Sequence, residues 1–169
     1  HFPLGGQAVE PLNRAVAFEG DWRLLYRANL ELRTALRILI PLFHFPVHKQ
    51  EDLYRSVHAF EWEKYLDLKQ TFAIDATVHS PVFSHSKYAG LKVKDAIADR
   101  FRERTGRRPS VHVESPDLRI NLYLSKNRAS ISLDSSGRSL HLRGYRHAPV
   151  LAPLNEVLAA GLILLSGWD

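Results

Sequence analysis

The sequence predicts an α+β fold arranged in two small units. Runs in which apolar and polar residues alternate, typical of strands with one covered face, occur at several points along the chain. Segments with apolar residues at helical spacing lie between them. The order is strand, strand, helix and a possible strand, then helix, strand, helix and two strands, which is the order of an α+β protein. A length of 169 residues, 45% of them hydrophobic, suits one domain or two small ones.

The first unit begins with a predicted hairpin formed by the runs AVEPLN and AVAFEG. Asp21 is suited to cap the helix that follows, because its carboxylate can accept a hydrogen bond from a first-turn N–H group. Periodicity leaves the later stretch RILIPLFHF as either the end of this helix or a buried strand, and Pro41 requires any helix to end before it. The apolar stripe of the helix consists of Leu25, Ala28, Leu32, Ala35 and Leu39.

A helix over residues 51–66 and the strand TFAIDATV are predicted to open the second unit. The helix directs Leu53, Val57 and Phe60 inward. The strand alternates cleanly, which predicts one covered face. That face carries Phe72, Ile74, Ala76 and Val78.

A further helix is predicted over residues 87–104, because apolar residues recur there at every fourth position. Lys94 and Arg100 flank this apolar stripe and are expected to rim a surface groove. Gly106 is suited to end the helix, since glycine adopts the left-handed conformation of a helix C-cap readily. The stripe consists of Ala89, Val93, Ile97 and Phe101.

A hairpin is predicted from LRINLYL and RASISLD, joined by a two-residue turn at Lys126 and Asn127. The turn places Leu124 opposite Ala129, Leu122 opposite Ile131 and Ile120 opposite Leu133, so that all six apolar residues face one way. The same register places Arg119 opposite Asp134. Two interpretations of Arg119 follow: a cross-strand ion pair with Asp134, or a contact with RNA.

The stretch LHLRGYR that follows is predicted to be a further strand over residues 140–145. A strand would place His141, Arg143 and Tyr145 on one face, and arginine beside an aromatic ring suits phosphates and stacked bases. A last helix is predicted to open at Pro153. Its apolar face has no counterpart elsewhere in the sequence, which predicts the first element of a further domain.

Several kinds of chemistry have no signature in this sequence. With no cysteine, thiolate catalysis and cysteine-bound zinc are excluded, and no HExxH, GxSxG or GxxxxGK pattern is present. The glycine-rich turn and Asn-Pro-Pro motif that an S-adenosylmethionine site requires are also missing. No apolar run approaches the roughly 20 residues of a membrane helix. Because the sequence contains no methionine, it is expected to be an internal fragment or a trimmed chain.

Positive charge is concentrated in one segment. The chain carries 23 Lys and Arg against 18 Asp and Glu, an excess of five. Residues 87–108 contain eight basic and three acidic residues, and therefore the same excess of five. Clustered cations gain free energy by releasing counterions from phosphates, so this distribution favours a polyanionic partner over an ordinary basic surface.

Taken together, several stretches resemble one family, and the most specific of them are LKVKDAI and DSSGRSLHLRGYR. The sequence resembles the front half of the bacterial THUMP-domain methyltransferases that modify guanine N2 in large-subunit ribosomal RNA, proteins often labelled N6-adenine-specific DNA methylases. The resemblance extends from about Phe18 over nearly the whole chain. The stretches that carry it are FEGDWRLLYRANLELRTALRILIPL, DLYRSVHAFEWEKYL, TFAIDATV, SHSKYAGLKVKDAIADRFR, RPSVHVESPDLRINLYLSKNRASISLDSSGRSLHLRGYR and APLNEVLAAGLILLSGWD.

The resemblance implies three regions. Residues 1–50 would form a ferredoxin-like domain that lacks its first strand and helix, in which RILIPLFHF is a strand. Residues 51–149 would form a THUMP domain of the α-β-α-β-β type. Residues 150–169 would be the opening helix of a truncated, Rossmann-like methyltransferase domain.

The implied function is to hold structured RNA, specifically 23S ribosomal RNA, for the chain's own downstream methyltransferase domain. That domain would use S-adenosylmethionine, whereas the present chain would bind no cofactor or metal and would be inactive alone. A cytoplasmic protein that does not enter membranes is expected. The residues expected to contact RNA are Lys87, Lys92, Lys94, Arg107, Arg108, Arg138, His141, Arg143 and Arg146.

Two alternatives remain open at this point. The module would serve transfer RNA if it belonged to a THUMP-containing tRNA methyltransferase or thiouridine synthase. In the other alternative the basic faces serve mainly for domain docking, with Arg143 and Arg146 paired to acids of the catalytic domain.

Overall fold

The computed structural model describes residues 4–144 and 154–168 and has the predicted α+β composition. The chain divides into two compact units, one formed by residues 1–38 with 138–169 and the other by residues 39–137. The strand formed by RILIPLFHF belongs to the sheet of the second unit. No helix among the described residues is both long and apolar enough to cross a membrane.

The first unit contains the predicted hairpin, formed by β1 (Gln7–Leu12) and β2 (Ala15–Glu19), and the helix α1 (Trp22–Glu31). The predicted cap is confirmed, since the Asp21 carboxylate accepts a hydrogen bond of 2.8 Å from the Leu24 N–H group. The core of this unit is small and consists of Leu4, Leu24, Ala28 and Ile38.

The predicted apolar stripe is wrong beyond the end of α1. The helix stops at Glu31, Leu32 is extended, and Leu39 already lies in strand β3 (Leu39–Pro46). Pairing between strands overrides the helical periodicity here. Pro41 is tolerated because β3 is an edge strand, where a residue without an N–H group breaks no ladder.

The second unit is built on a five-stranded sheet with the order β3-β7-β6-β4-β5. Strand β4 (Thr71–His79) is parallel to both β5 (Ser110–Val111) and β6 (Leu118–Ser125). Strand β7 (Arg128–Asp134) is antiparallel to β6, and its register confirms each of the three predicted cross-strand pairs. Side chains of Ile120, Leu122, Leu124 and Ile131 are fully buried on one face of the sheet.

Two helices supply the rest of this core. The predicted helix over 51–66 is shorter in the structure: α2 (Gln50–Ala59) is followed by a 3₁₀ turn (Trp62–Lys64). The turn forms because the fully buried Trp62 ring is held there, with its Nε1 donating to the Val57 carbonyl at 2.7 Å. Leu53 and Val57 are buried as predicted.

Helix α3 (Ser86–Thr105) confirms the apolar stripe predicted for it. Ala89, Val93, Ile97 and Phe101 are all buried. Gly106 ends the helix as predicted, with φ +70°, a conformation that favours glycine. The helix therefore packs its apolar side on the sheet and leaves its polar side to solvent.

The predicted strand over 140–145 is wrong for residues 140–144, and Tyr145 lies outside the described residues. The segment forms a turn because Leu140 donates its N–H group to the Leu36 carbonyl at 2.9 Å and packs against the small core. The last helix, α4 (Glu156–Ser166), is capped by the side chain of Asn155 and has no buried residue. Pro153, its predicted start, lies outside the described residues.

Candidate nucleic-acid interface

The first half of α3 presents the predicted lysines on its exposed side. An α-helix turns by about 100° per residue, so Lys87 and Lys94 lie within about 20° of each other, two turns apart. By the same geometry Lys92 and Lys94 lie about 160° apart and border the exposed side at its two edges. These lysines therefore form a cationic surface one helix wide rather than a single point of charge.

Lys92 is positioned by an aromatic neighbour. Its Nζ lies 5.6 Å from the centroid of the Tyr88 ring, one helical turn earlier. Tyr88 is itself 47% exposed. This pair combines a cation with an exposed aromatic face, the combination that nucleic-acid interfaces use for phosphate and base contacts.

Lys94 and Lys87 differ in how free their charges are. The Nζ of Lys94 lies 2.6 Å from Oδ1 of its neighbour Asp95, and its side chain is 32% exposed. Lys87 is exposed and forms no ion pair within the described residues. Lys87 and Lys92 are therefore the α3 lysines most available to a phosphate.

The second half of α3 is neutralised by ion pairs. Arg102 pairs with Asp99, and Arg104 contacts Glu63 at 3.1 Å. Arg100, expected to rim a groove, is instead 9% exposed, and that expectation is wrong. Its Nε donates to Glu63 at 2.9 Å, and its Nη1 donates to the carbonyls of His58 and Ala59 at the end of α2.

These contacts also set the ionisation of Glu63. Burial alone would raise the pKa of its carboxyl group, but the hydrogen bonds from Arg100 and Arg104 outweigh burial and hold that pKa below its ordinary value. The charges of Glu63 and its arginines thus serve the fold, because their donors and acceptors are already occupied.

Arg107 and Arg108 follow α3 directly, beyond Gly106. Both are exposed, and neither forms an ion pair in the part of the chain that the structure describes. Of the eight basic residues in 87–108, those with no ion-pair partner there are thus Lys87, Lys92, Arg107 and Arg108.

The remaining predicted residues belong to the first unit. Arg138 is exposed, and the Nδ1 of His141 lies 2.8 Å from the Ser139 hydroxyl. Arg143 donates four hydrogen bonds to backbone carbonyls, to Leu140 from Nε and to three residues at the end of α1 from its terminal nitrogens. Its cation closes the C-terminus of α1, where carbonyls lack helical partners. Arg146 lies outside the described residues.

Arg119 forms an ion pair, but with a different acid from the one predicted. Its Nη1 lies 3.2 Å from Oδ1 of Asp75, and its Nη2 donates to the Val113 and Glu114 carbonyls. Asp75 is available because β4 lies beside β6 in parallel, an order that the hairpin register alone does not reveal. The ion-pair interpretation of Arg119 therefore stands with Asp75 as the acid.

The residue patterns missed two features of the second unit. Tyr88 stands four positions before Lys92, and that spacing alone would have predicted their contact. The polar face of the sheet, where the rings of His79 and Tyr123 meet, gave no comparable signal. Those residues are 44 positions apart in the sequence and become neighbours only because β4 pairs with β6.

The described residues do not fit a bound S-adenosylmethionine. In open α/β sheets such ligands bind beyond the carboxyl end of a strand, usually at a glycine-rich turn. The loop between β4 and α3, residues 80–85, contains no glycine, and its Ser80 and Phe83 bridge each other instead. No chemical step through S-adenosylmethionine is therefore assigned to this loop.

Comparison with known proteins identifies both parts of the chain. Residues 48–134 match the THUMP domain, and residues 3–39 match the RlmL ferredoxin-like domain. A ribosomal RNA large subunit methyltransferase K/L from Syntrophotalea carbinolica is 44% identical over 98% of this chain. The chain covers 23% of that relative.

Two solved structures are also similar to this chain over nearly its whole length. A crystal structure described as a predicted N6-adenine-specific DNA methylase from Listeria monocytogenes is 33% identical, with a TM-score of 0.81. Another, of the methyltransferase SMU.472 complexed with SAH, is 32% identical, with a TM-score of 0.78. They match 98% and 95% of this chain, which spans only 43% and 42% of theirs.

Proposed function

Because this chain belongs to the THUMP domain family, with a THUMP domain over just over half of its length, we propose that it is the RNA-binding part of a larger RNA methyltransferase. The observation that carries the proposal is that some basic residues of α3 and the segment after it have ion-pair partners and others do not. Lys87, Lys92, Arg107 and Arg108 are left without ion-pair partners among the described residues, whereas Arg100, Arg102 and Arg104 are paired. Cations without an ion-pair partner are the ones available to bind phosphates.

The proposed substrate is structured RNA of the large ribosomal subunit, methylated at guanine N2. The name of the relative from Syntrophotalea carbinolica and its 44% identity support the large-subunit assignment. The sequence resemblance supports the guanine N2 assignment. The corresponding compartment is the cytoplasm.

The cofactor and the catalytic step are proposed to belong to another part of the full-length protein. A structure bound to SAH, of which this chain covers 42%, supports S-adenosylmethionine as that cofactor. Within this chain, the exposed apolar residues of α4 are proposed to pack on the methyltransferase domain. Leu158, Leu162 and Leu165 are 53%, 53% and 87% exposed.

The RNA-contacting set is narrower in this proposal than the sequence indicated. In the second unit it consists of Lys87, Lys92, Arg107 and Arg108, with Lys94 as a weaker member because it pairs with Asp95. Arg138 of the first unit is kept as a separate candidate because it is exposed. Arg143 is left out because its guanidinium already donates to four carbonyls. His141 is left out because its ring contacts Ser139.

The test is RNA binding by a variant that loses two unpaired charges. Fluorescence anisotropy with labelled hairpins of 23S ribosomal RNA should show weaker binding for Lys87→Ala with Lys92→Ala. The slope of log K against log salt should flatten by about two units, because roughly one counterion is released per phosphate contact.

A charge-matched control is available in the same unit. Lys64→Ala with Arg102→Ala also removes two positive charges, but these are paired with Glu61 and Asp99. This control should bind nearly as the parent chain does. Equal losses of RNA affinity in both variants would mean that only the net charge of the chain matters, and would contradict the proposed surface. Equal affinity for hairpins of ribosomal and transfer RNA would contradict the substrate assignment.

A further inference from the structure

The face of the five-stranded sheet opposite the buried one carries two rows of polar side chains near the turn between β6 and β7. Side chains alternate along each strand, so the residues between the buried positions of β6 and β7 point to this second face. Paired residues continue each row onto β4 and β3. We call them the turn-side rows: Thr77, Tyr123, Ser130 and His44, then His79, Ser125, Arg128 and Pro46.

These rows are open and have an aromatic centre. Tyr123 is 43% exposed, and Thr77, His44, His79 and Arg128 are exposed as well. The ring of His79 meets that of Tyr123 edge-on, with centroids 6.2 Å apart and an interplanar angle of 66°. This contact packs against one side of the Tyr123 ring and limits the rotation of the ring. An exposed aromatic ring on the open face of a sheet is a surface on which a nucleic-acid base can stack.

The turn beside the rows is rigid, and it holds a lysine where glycine would be favoured. Lys126 has φ +54°, which is costly for a residue with a side chain. Backbone bonds fix the turn on both sides: Lys126 donates its N–H group to the His79 carbonyl at 2.8 Å, and Val47 donates to the Asn127 carbonyl at 2.7 Å. The Ser80 hydroxyl also donates to the Lys126 carbonyl. The backbone that bears the Lys126 side chain is thus held in place by hydrogen bonds next to His79.

The charge at this end of the sheet favours an anion. Lys126 and Arg128 form no ion pair within the described residues, and neither turn-side row contains a carboxylate. Asp75, the acid one row beyond Thr77 on β4, is paired with Arg119. A phosphate would therefore meet two cations with no repulsive neighbour in the rows.

We propose that the turn-side rows bind an unpaired segment of the RNA. A base stacks on the Tyr123 ring, and the adjoining phosphates contact Lys126 and Arg128. Hydroxyls of Thr77 and Ser130 lie in the same row as Tyr123, where they can meet the base edge or a ribose 2′-OH. A base inside a duplex is already stacked and cannot reach a flat sheet, so the ligand is single-stranded. This inference rests on the proposed function and adds a second contact to the one on α3.

The experiment uses the full chain with two labelled RNAs, an unstructured heptanucleotide of mixed sequence and a blunt-ended duplex. Tyr123→Ala should weaken heptanucleotide binding between about 5-fold and 150-fold, the range for loss of one stacked base. Tyr123→Phe keeps the ring and should bind as the parent does. Tyr26→Ala removes a tyrosine that is 71% exposed on α1 and should have no effect.

Lys126→Gly separates binding from stability. Glycine is favoured at φ +54°, so this variant should be at least as stable as the parent while binding the heptanucleotide more weakly. Unchanged heptanucleotide binding in both Tyr123→Ala and Lys126→Gly would overturn the inference. Equal competition by a paired duplex, or binding of a protein partner but no heptanucleotide at this face, would also overturn it.

The failure of this inference is distinguishable from that of the proposed function. If only the inference about the open sheet face is wrong, Lys87→Ala with Lys92→Ala still weakens hairpin binding, while Tyr123→Ala changes the affinity for neither RNA. If the chain binds neither RNA, both are overturned.

Discussion

Arg100 and Glu63 join α3 to the 3₁₀ turn through a hydrogen bond of 2.9 Å between Nε and Oε1. The side chains are 11% and 27% exposed, so the pair is largely removed from water. Arg100 also donates to the His58 and Ala59 carbonyls, where α2 ends. One arginine from the basic segment thus fastens three elements of the second unit.

Removal of Arg100 should destabilise the second unit strongly. Arg100→Ala leaves Glu63 and two carbonyls without their donor, and breaking a buried pair in this way costs about 3 kcal/mol. Urea unfolding followed by tryptophan fluorescence measures the change. Arg102→Ala is the control, because Arg102 is 60% exposed and its pair with Asp99 contributes less than about 1 kcal/mol. Equal effects of the two substitutions would contradict the role given to Arg100.

The same pair predicts a pH dependence of stability. The folded pKa of Glu63 lies below its ordinary value of 4.5, so its contribution is fully present above that pH. The contribution is lost as the pH falls through the folded pKa, where the carboxylate is protonated. The free energy of unfolding, measured with urea from pH 6 down to acidic pH, should therefore fall more steeply with decreasing pH for the parent chain than for Glu63→Gln. Identical slopes would mean that Glu63 titrates normally in the fold.

Tyr54 should ionise well above the ordinary pKa of a tyrosine. Burial, and then its 2.8 Å hydrogen bond to Asp99, raise the pKa of Tyr54 to about 12. Because the folded pKa is raised, its contribution to stability is present below the ordinary value of 10.0 and is lost as the pH rises toward about 12. Ultraviolet titration should show one late phase that is missing in Tyr54→Phe and retained in Tyr65→Phe.

Arg143 is predicted to hold the end of α1. Arg143→Ala should raise the hydrogen-exchange rate of the Leu30 and Leu32 amides, because the last carbonyls of the helix lose a cationic partner. Arg143→Lys should restore little of the protection, since a point charge cannot reach several carbonyls as a planar guanidinium does. Full protection in Arg143→Ala would show that this contact does not stabilise the helix.

The hairpin of β6 and β7 and the buried side of α3 were predictable from the sequence, because local periodicity fixes each of them. The two-residue turn sets the register of the hairpin, and the four-residue repeat of apolar residues sets the buried side of α3. The end of α1 and the turn at residues 140–144 were not predictable. Each depends on a partner distant in sequence: β7 pairs with Leu39, and the Leu36 carbonyl binds the Leu140 N–H group.

The candidate site shows the same division. The position of Lys92 away from the apolar stripe followed from the helical repeat, but the pairing of Arg100 did not, because Glu63 is 37 positions away. Counting charges over residues 87–108 therefore overstated the number of cations that are free to bind. Arg119 was assigned the wrong acid for a similar reason, since the order of strands in the sheet decides which carboxylate is near.

The most direct test of the central claim is the salt dependence of RNA binding by the unmodified chain. Four unpaired cations, Lys87, Lys92, Arg107 and Arg108, should contribute between about −3 and −4 to the slope of log K against log salt on a structured ribosomal RNA hairpin. Replacing all four with alanine should flatten the slope by about that amount. A chain that binds no hairpin at low salt, or a slope that the fourfold variant leaves unchanged, would contradict the assignment of this surface to RNA.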